Sequence, residues 1–372
     1  MLVKLEDVCN KATSNIMQKN IADHKGAYKI FGATGYIGAV DFYDQEESYV
    51  AIVKDGAGIG RTFLLPEKTS VINTMQYLLP KGNIIPEYLY YVVQFMHLEK
   101  YFTGSTIPHI YYRDYKNEIF NLVPIDQQIQ IVKKLDKINE LIDNKEKQMK
   151  KIDMIVKSRF IEMFGDPISN PQGWPVKRLE ELSLLITNGN TPKGGSKNYV
   201  NKGILFLRSQ NVWKNRIDLE DVAYIDLNTH ANMSKSSVHD KDILITKTGR
   251  INTENSSLGR AALFRGADNS ANINGHVYLV RLDDTVVPEY VVAILTGEAY
   301  RKYIRKVCVG GIDKRQINLD QVENFPIILP PKEKQKQFAI FATQIDKSKL
   351  AIQKSIEKLE ILKKSLMQKY FG

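Results

Sequence analysis

The stretch "KDGAGIGRTF", Lys54 to Phe63, sets Gly56, Gly58 and Gly60 at alternate positions and follows them with Arg61. Glycines in such a loop can let backbone N–H groups close around a phosphate when a helix begins directly after them. A dinucleotide fingerprint needs G-x-G-x-x-G between a strand and a helix, and this loop reads G-x-G-x-G. The residues that follow, "RTFLLPEKTSVINTMQYLLP", contain Pro66 and many β-branched and apolar side chains, which predicts strands and a turn. "GNTPKGGSK" from Gly189 approaches a Walker loop but misplaces the lysine. No nucleotide cofactor is expected at either loop.

Other catalytic patterns are missing. There is no Asn/Asp/Ser-Pro-Pro-aromatic sequence to hold a flipped adenine; "NPQG" at Asn170 lacks the second proline and the aromatic. No H-E-x-x-H, C-x-x-C or G-x-S-x-G occurs. His24, His97, His109, His230, His239 and His276 are scattered along the chain and read as surface or packing residues. Asp44, Glu46 and Glu47 cluster as a solvated acidic face would. Cys9 and Cys308 are too few for a disulfide framework or a thiolate metal site. The chain therefore reads as non-catalytic.

Those loops need elements to carry them, and an internal repeat supplies the plan. Residues 122–165 and 329–372 align without a gap at a constant offset of 207 residues. Pro124/Pro331, Gln128/Gln335, Gln130/Gln337, Ile138/Ile345, Lys151/Lys358, Ser158/Ser365, Phe164/Phe371 and Gly165/Gly372 are identical pairs. Each copy starts after a proline and has no internal Gly or Pro before its Phe-Gly end, which predicts one long helix of roughly 55 Å. Ile345, Ile352, Leu359 and Leu366 recur every seven residues, with Ile356 and Leu362 on the adjoining stripe. In the first copy Ile138 and Ile152 share a stripe broken by Lys145 and Arg159, while Ile142, Met149, Val156 and Met163 fill the next. This a/d pattern suits two helices packed on each other, and a helix packed on its own domain is the plainer alternative.

The repeat extends upstream. "PEYLYYVVQF" at Pro86 matches "PEYVVAILTG" at Pro288, and "GIGRTFLL" from Gly58 matches "SLGRAALF" from Ser257. "GSTIPHIYYRDYKN" from Gly104 parallels "GGIDKRQINLDQVEN" from Gly310, and "VKLEDV" at Val3 resembles "VKRLEEL" at Val176. "GDPISNPQGWP" marks the join. What survives of the glycine loop in the second copy is Gly259-Arg260, a Gly-Arg turn between strands. It is either a tight hairpin with a surface arginine or a device that takes the arginine, and Lys54, to a phosphate or base edge.

The 372 residues carry a formal net charge of +10 and a pI near 9.2. Residues 1–124 sum to about −1, 125–165 to about +2, 166–331 to about +3 and 332–372 to about +6. A polyanion partner is plausible on this balance and not required by it. The first residues, "MLVKLEDV", do not read as a signal peptide, and "YLYYVVQF" is too short to cross a bilayer, so a cytoplasmic protein is expected, without a membrane partner.

With "GWPVKRLEEL", "YKIFGATGYIG", "GSTIPHI" and the twin P-x3-Q helices ending in Phe-Gly, the chain resembles the specificity subunits of type I restriction–modification systems over its full length. That resemblance implies an α/β (α+β) fold. Two target-recognition domains with twisted mixed sheets, residues 1–124 and 166–330, are held apart by antiparallel coiled-coil helices, 125–165 and 331–372, in a pseudo-two-fold repeat. It also implies a DNA-reading subunit of a multisubunit adenine methyltransferase or type I restriction enzyme. Each domain would read one half of a split target on double-stranded DNA, and the helices would carry two modification subunits and two restriction subunits. S-adenosylmethionine, ATP and Mg would bind those partners, and none would bind this chain. Roughly 55 Å of helix exceeds the roughly 34–36 Å of one DNA turn. The recognition part of another methyltransferase–nuclease assembly and a coiled-coil scaffold are the alternative readings.

Arg and Lys suit guanine or phosphate, and Asn and Gln suit adenine. Expected DNA contacts in the first domain are Tyr36, Lys54, Arg61, Tyr111, Tyr112 and Arg113. In the second they are Asn188, Asn190, Thr191, Lys193, Ser209, Gln210, Asn211, Lys247, Thr248, Arg250 and Arg260. "LITKTGRINTENSS", Leu244–Ser257, is the best single segment, with a polar, basic middle between apolar stretches. The first domain is shorter and is expected to lack a counterpart of Thr187–Leu219. Ile138, Ile142, Met149, Ile152, Val156, Ile345, Ile352, Ile356, Leu359 and Leu366 are the expected helix-pairing side chains.

Overall fold

Every residue of the strand Tyr49–Val53 is buried, because its alternating side chains serve two different cores. Val50 and Ile52 pack with Tyr88, Leu89 and Val92 of the helix Pro86–Met96, while Tyr49, Ala51 and Val53 pack with Met75 and Tyr77. The strand Ile243–Thr246 repeats the arrangement. Ile243 and Ile245 face the helix Pro288–Thr296, and Leu244 faces a second cluster with Leu279 and Ala262. Both helices begin on a proline, whose missing N–H costs nothing at a first helical position.

The computed structural model describes residues 1–104, 107–253 and 255–372; Ser105 and Thr106 of "GSTIPHI", and Glu254 of "LITKTGRINTENSS", lie outside the described residues. The chain divides into a first unit, Met1–Gln148 with Ile352–Gly372, and a second unit, Met149–Ala351.

In the first unit an antiparallel sheet runs in the order Cys9–Thr13, Met75–Pro80, Tyr49–Val53, Thr62–Leu65. The second unit has the same sheet as Ser183–Asn188, Val277–Leu282, Ile243–Thr246, Ala261–Leu263. Each unit adds a mixed sheet with one parallel pair: Tyr28–Gly32 beside Ser70–Val71, and Ile204–Leu207 beside Ala271–Ile273. A short antiparallel pair ties each unit's start to its end, Leu2–Lys4 with Ile119–Asn121 and Val176–Arg178 with Pro326–Ile328. The expectation that Thr187–Leu219 lacks a counterpart needs correcting. Ile204–Leu207 is the counterpart of Tyr28–Gly32, and the hairpin of Val212–Trp213 with Arg216–Ile217 is what the second unit adds. Side-chain identity hid this match, because a strand needs only the alternation to be kept.

Two helices of 40 residues, Ile125–Phe164 and Lys332–Phe371, follow the sheets. In the first unit Ile131, Val132 and Leu135 share a core with Met367 and Phe371; in the second, Phe160 and Phe164 lie against Phe338. The start of one helix therefore lies beside the end of the other in each unit, and the two run antiparallel. Ile138 and Ile356 are buried, and Ile142, Met149, Ile152, Val156, Ile345, Ile352, Leu359 and Leu366 are half-buried. Leu362 departs from the stripe expected for it and is exposed.

The repeated glutamines explain the P-x3-Q pattern. Gln128 is fully buried; its Oε1 accepts from Ile85 N at 3.0 Å, and its Nε2 donates to Asn83 O and Val123 O, both at 2.9 Å. Gln335 does the same with Val287 N at 3.0 Å and Pro330 O at 2.8 Å. Each amide supplies partners to backbone groups at the foot of the proline-led helix, which would otherwise be buried unpaired.

Candidate nucleic-acid interface

Two lysines occupy the same backbone crossing, one in each unit. Lys54 N donates to Thr74 O at 3.0 Å, and its carbonyl accepts from Ile110 N at 2.9 Å. Lys247 N donates to His276 O at 2.9 Å, and its carbonyl accepts from Ile317 N at 2.9 Å. The preceding residue closes the loop identically: Val53 N to Arg61 O at 2.9 Å, and Thr246 N to Arg260 O at 2.9 Å. Gly60 N returns to Val53 O at 2.9 Å, and Gly259 N to Thr246 O at 3.0 Å.

This crossing accounts for the glycines without any phosphate. Gly60 and Gly259 have φ of +80° and +64°, the left-handed region that favours glycine. A Cβ on Gly60 would lie 2.8 Å from Glu99 N, and one on Gly259 would lie 2.7 Å from Ile304 Cδ1. No helix start follows either loop, since both continue into strands. The second copy also keeps Gly249 at the place of Gly56, so the shared unit is Lys-x-Gly followed by Gly-Arg. Six extra residues between the two halves hide this in a direct alignment.

In the first unit Lys54, Tyr111, Tyr112 and Arg113 line one groove of about 620 Å³ together with Asn10 and Lys11. Arg113 lies over the Tyr111 ring at 4.9 Å, and His109 stacks on that ring at 6.2 Å while its Nδ1 lies 2.6 Å from Asp55 Oδ1. Tyr112 is half-buried beside Cys9, and burial pushes its hydroxyl well above the usual phenol range. Burial also pushes the Cys9 thiol up to about 12, so it is not a reactive thiolate. Tyr36 and Arg61 are placed apart from this groove. Arg61 Nη1 donates to Ala33 O at 2.7 Å, tying its loop to the turn of the hairpin on which Tyr36 stands exposed.

In the second unit Lys247, Thr248 and Arg250 lie together, with the strand Thr248–Arg250 paired to Lys314–Gln316. Arg250 is exposed, with Nε 3.3 Å from Asp313 Oδ2. Asn190, Thr191 and Lys193 are exposed on the loop after Ser183–Asn188, and Asn190 N donates to Ile273 O at 3.2 Å. The half-buried Asn188 carries a buried Oδ1 with no hydrogen-bond partner among the described residues. Ser209 is half-buried, and Gln210 Nε2 donates to Asp221 Oδ2 at 3.0 Å.

Two expected contacts, Asn211 and Arg260, are engaged within the fold. Asn211 is buried; its Oδ1 accepts from Arg208 N at 2.9 Å and its Nδ2 donates to Asp218 O and Asp221 O. Its amide is fully used in holding the loop and is not free to read a base. Arg260 is likewise engaged. Its guanidinium lies 4.0 Å over the Trp213 ring, Nε donates to Ser256 O at 3.0 Å, and Nη2 donates to Asn255 O. It fastens Asn255 and Ser256 to the hairpin that the second unit adds. Arg216 covers the same indole at 5.5 Å. Trp213, Arg216, Lys314 and Arg315 were not among the expected residues. The parallel of "GGIDKRQIN" with "GSTIPHIYYR" was the available signal for the last two.

A family profile for the type I restriction modification DNA specificity domain matches residues 1–154 and 171–362. The chain belongs to that family. Among curated specificity subunits of type I restriction enzymes from Methanocaldococcus jannaschii, MjaVIII is 23% identical over 337 residues, covering 86% of this chain and 77% of its own length. MjaX is 26% identical over 202 residues, covering 54% of this chain and 46% of its own length, so this chain spans about half of that relative. The fold is also that of the type I restriction–modification S subunit from M. genitalium, with a TM-score of 0.61 at 13% identity, covering 100% of this chain and 96% of that one. Among the described residues no His, Cys, Asp and Glu group is arranged to hold a metal ion, and no helix is long and apolar enough to cross a membrane.

Proposed function

We propose that the chain reads a split target on double-stranded DNA, one half-site with each unit, and carries no catalytic centre of its own. The observation behind this is the equivalence of Lys54 and Lys247. Each stands at a crossing of four backbone hydrogen bonds on the loops of a sheet, and each is flanked by residues suited to phosphate or base edges. The flanking residues differ: Tyr111, Tyr112 and Arg113 in one unit, and Asn190, Thr191, Thr248 and Arg250 in the other. Unlike half-sites follow from that difference.

The helices are the proposed seat of the modification and restriction subunits. Met154, Ile155, Ile340, Leu350 and Ile361 are exposed large apolar side chains on helices that otherwise present lysines. Apolar side chains of this kind, where they gather into a patch, suit a protein–protein surface. S-adenosylmethionine, ATP and Mg belong, in this reading, to those partners, and the assembly works in the cytoplasm.

Arg250→Ala tests the reading segment in a salt titration on the intact target. Weaker binding through one half-site is the expected result; unchanged binding removes this loop from the interface.

A further inference from the structure

Near each lysine crossing stands an exposed isoleucine, Ile107 in the first unit and Ile312 in the second. In the second unit the strands Val309–Gly310 and Lys314–Gln316 pair with each other, and the latter pairs with Thr248–Arg250. Ile312, at the turn, is 91% exposed. In the first unit Thr103 and His109 exchange two backbone hydrogen bonds of 2.8 Å, and Ile107 between them is 55% exposed. The glycines that precede the two isoleucines match. Gly104 and Gly310 have φ of +100° and +128°, and a Cβ there would lie 2.5 Å from Ile107 O or 3.0 Å from Lys314 O. In each unit a following isoleucine has its N–H held by the lysine carbonyl, Ile110 on Lys54 and Ile317 on Lys247.

Charge indicates what meets the second hairpin. Arg250 and Lys314 are directly opposed cross-strand partners, and both are exposed. Like charges in that register repel unless an anion lies between or above them. Asp313 offsets part of this through Arg250, and Asp313 O accepts from Ile251 N at 3.0 Å. Arg315 adds a further cation beside Gly249. A narrow basic ribbon ending in a bare aliphatic side chain suits a duplex. The cations meet phosphates, and the tip enters between adjacent bases, as apolar wedges do in proteins that unstack a step.

We infer that Ile312, and its counterpart Ile107, are wedge residues that unstack a base step in each half-site. This inference rests on the DNA reading proposed above. The full-length chain, without a methyltransferase that would itself flip a base, is used to select duplexes from a random-sequence pool. The selected pool is then probed with permanganate, which attacks unstacked thymines. With the native chain, hyper-reactive thymines are expected at a fixed place in each half-site. Ile312→Ser abolishes one set, Ile107→Ser the other, each with roughly tenfold weaker binding, while Ile312→Leu keeps the pattern. Selection that succeeds with identical permanganate patterns for native and serine variants overturns the wedge and leaves the DNA reading standing. Failure of the native chain to select any duplex overturns the DNA reading, and the wedge with it.

Discussion

Phe371 packs edge-on against Tyr88 at 5.2 Å and 75°, and its repeat counterpart Phe164 packs against Tyr290 at 4.9 Å and 71°. Each long helix thus ends on the proline-led helix of the unit in which it did not begin. Both phenylalanines are fully buried, so each Phe-Gly end acts as a plug. Phe371→Ala or Phe164→Ala is expected to cost about 3–5 kcal/mol. Hydrogen exchange distinguishes them: Phe371→Ala should lose protection in Pro86–Met96, and Phe164→Ala in Pro288–Thr296. Loss in the opposite helices would contradict the packing.

Gln128 and Gln335 are expected to matter for stability and not for sequence choice. Replacing either by Ala leaves a buried N–H at Ile85 or Val287 without its partner, a cost of about 1–3 kcal/mol. Urea unfolding should show the loss while duplex selection keeps its consensus.

Asn211 and Lys247 form a contrasting pair. Asn211→Ala should lower stability by about 1–3 kcal/mol through the loop carbonyls it serves. Lys247→Ala should leave stability nearly unchanged and weaken binding through its own half-site by about 1–3 kcal/mol. Equal unfolding midpoints for Asn211→Ala and the native chain would contradict the structural role given to that amide.

Cys9 gives a pH dependence with a definite sign. Burial holds its thiol neutral up to about 12, while an unfolded thiol ionises at its lower ordinary value. Above that ordinary value the unfolded chain binds fewer protons than the folded one. Stability therefore falls as pH rises toward 12, by at most about 1.4 kcal/mol per pH unit from this group. Cys9→Ala should flatten that fall, measured as unfolding midpoints between pH 8 and 11; an unchanged slope would contradict the burial effect.

Much of this was legible because the helix repeat is free of gaps. Pro124/Pro331, Gln128/Gln335 and Phe164/Phe371 fall at one offset, and each pair does the same job in its unit. The strands Thr62–Leu65 and Met75–Pro80 were readable from the β-branched and apolar content of "RTFLLPEKTSVINTMQYLLP". The crossing was not, because Lys-x-Gly and Gly-Arg stand closer together in the first loop than in the second. Lys314 and Arg315 were missed because their neighbour Arg250 lies far away in sequence and meets them only through strand pairing. Asn211 and Arg260 have the composition of base readers, and only their backbone partners show that they are fasteners. Leu362 fits a heptad register but lies on the exposed side of its helix.

The central claim is that each unit reads its own half of one target. Selection of duplexes by the full-length chain, by Lys54→Ala and by Lys247→Ala tests it most directly. The prediction is a two-part consensus for the native chain, with one part degraded by Lys54→Ala and only the other by Lys247→Ala. A single continuous consensus, or both substitutions eroding the same part, would contradict it.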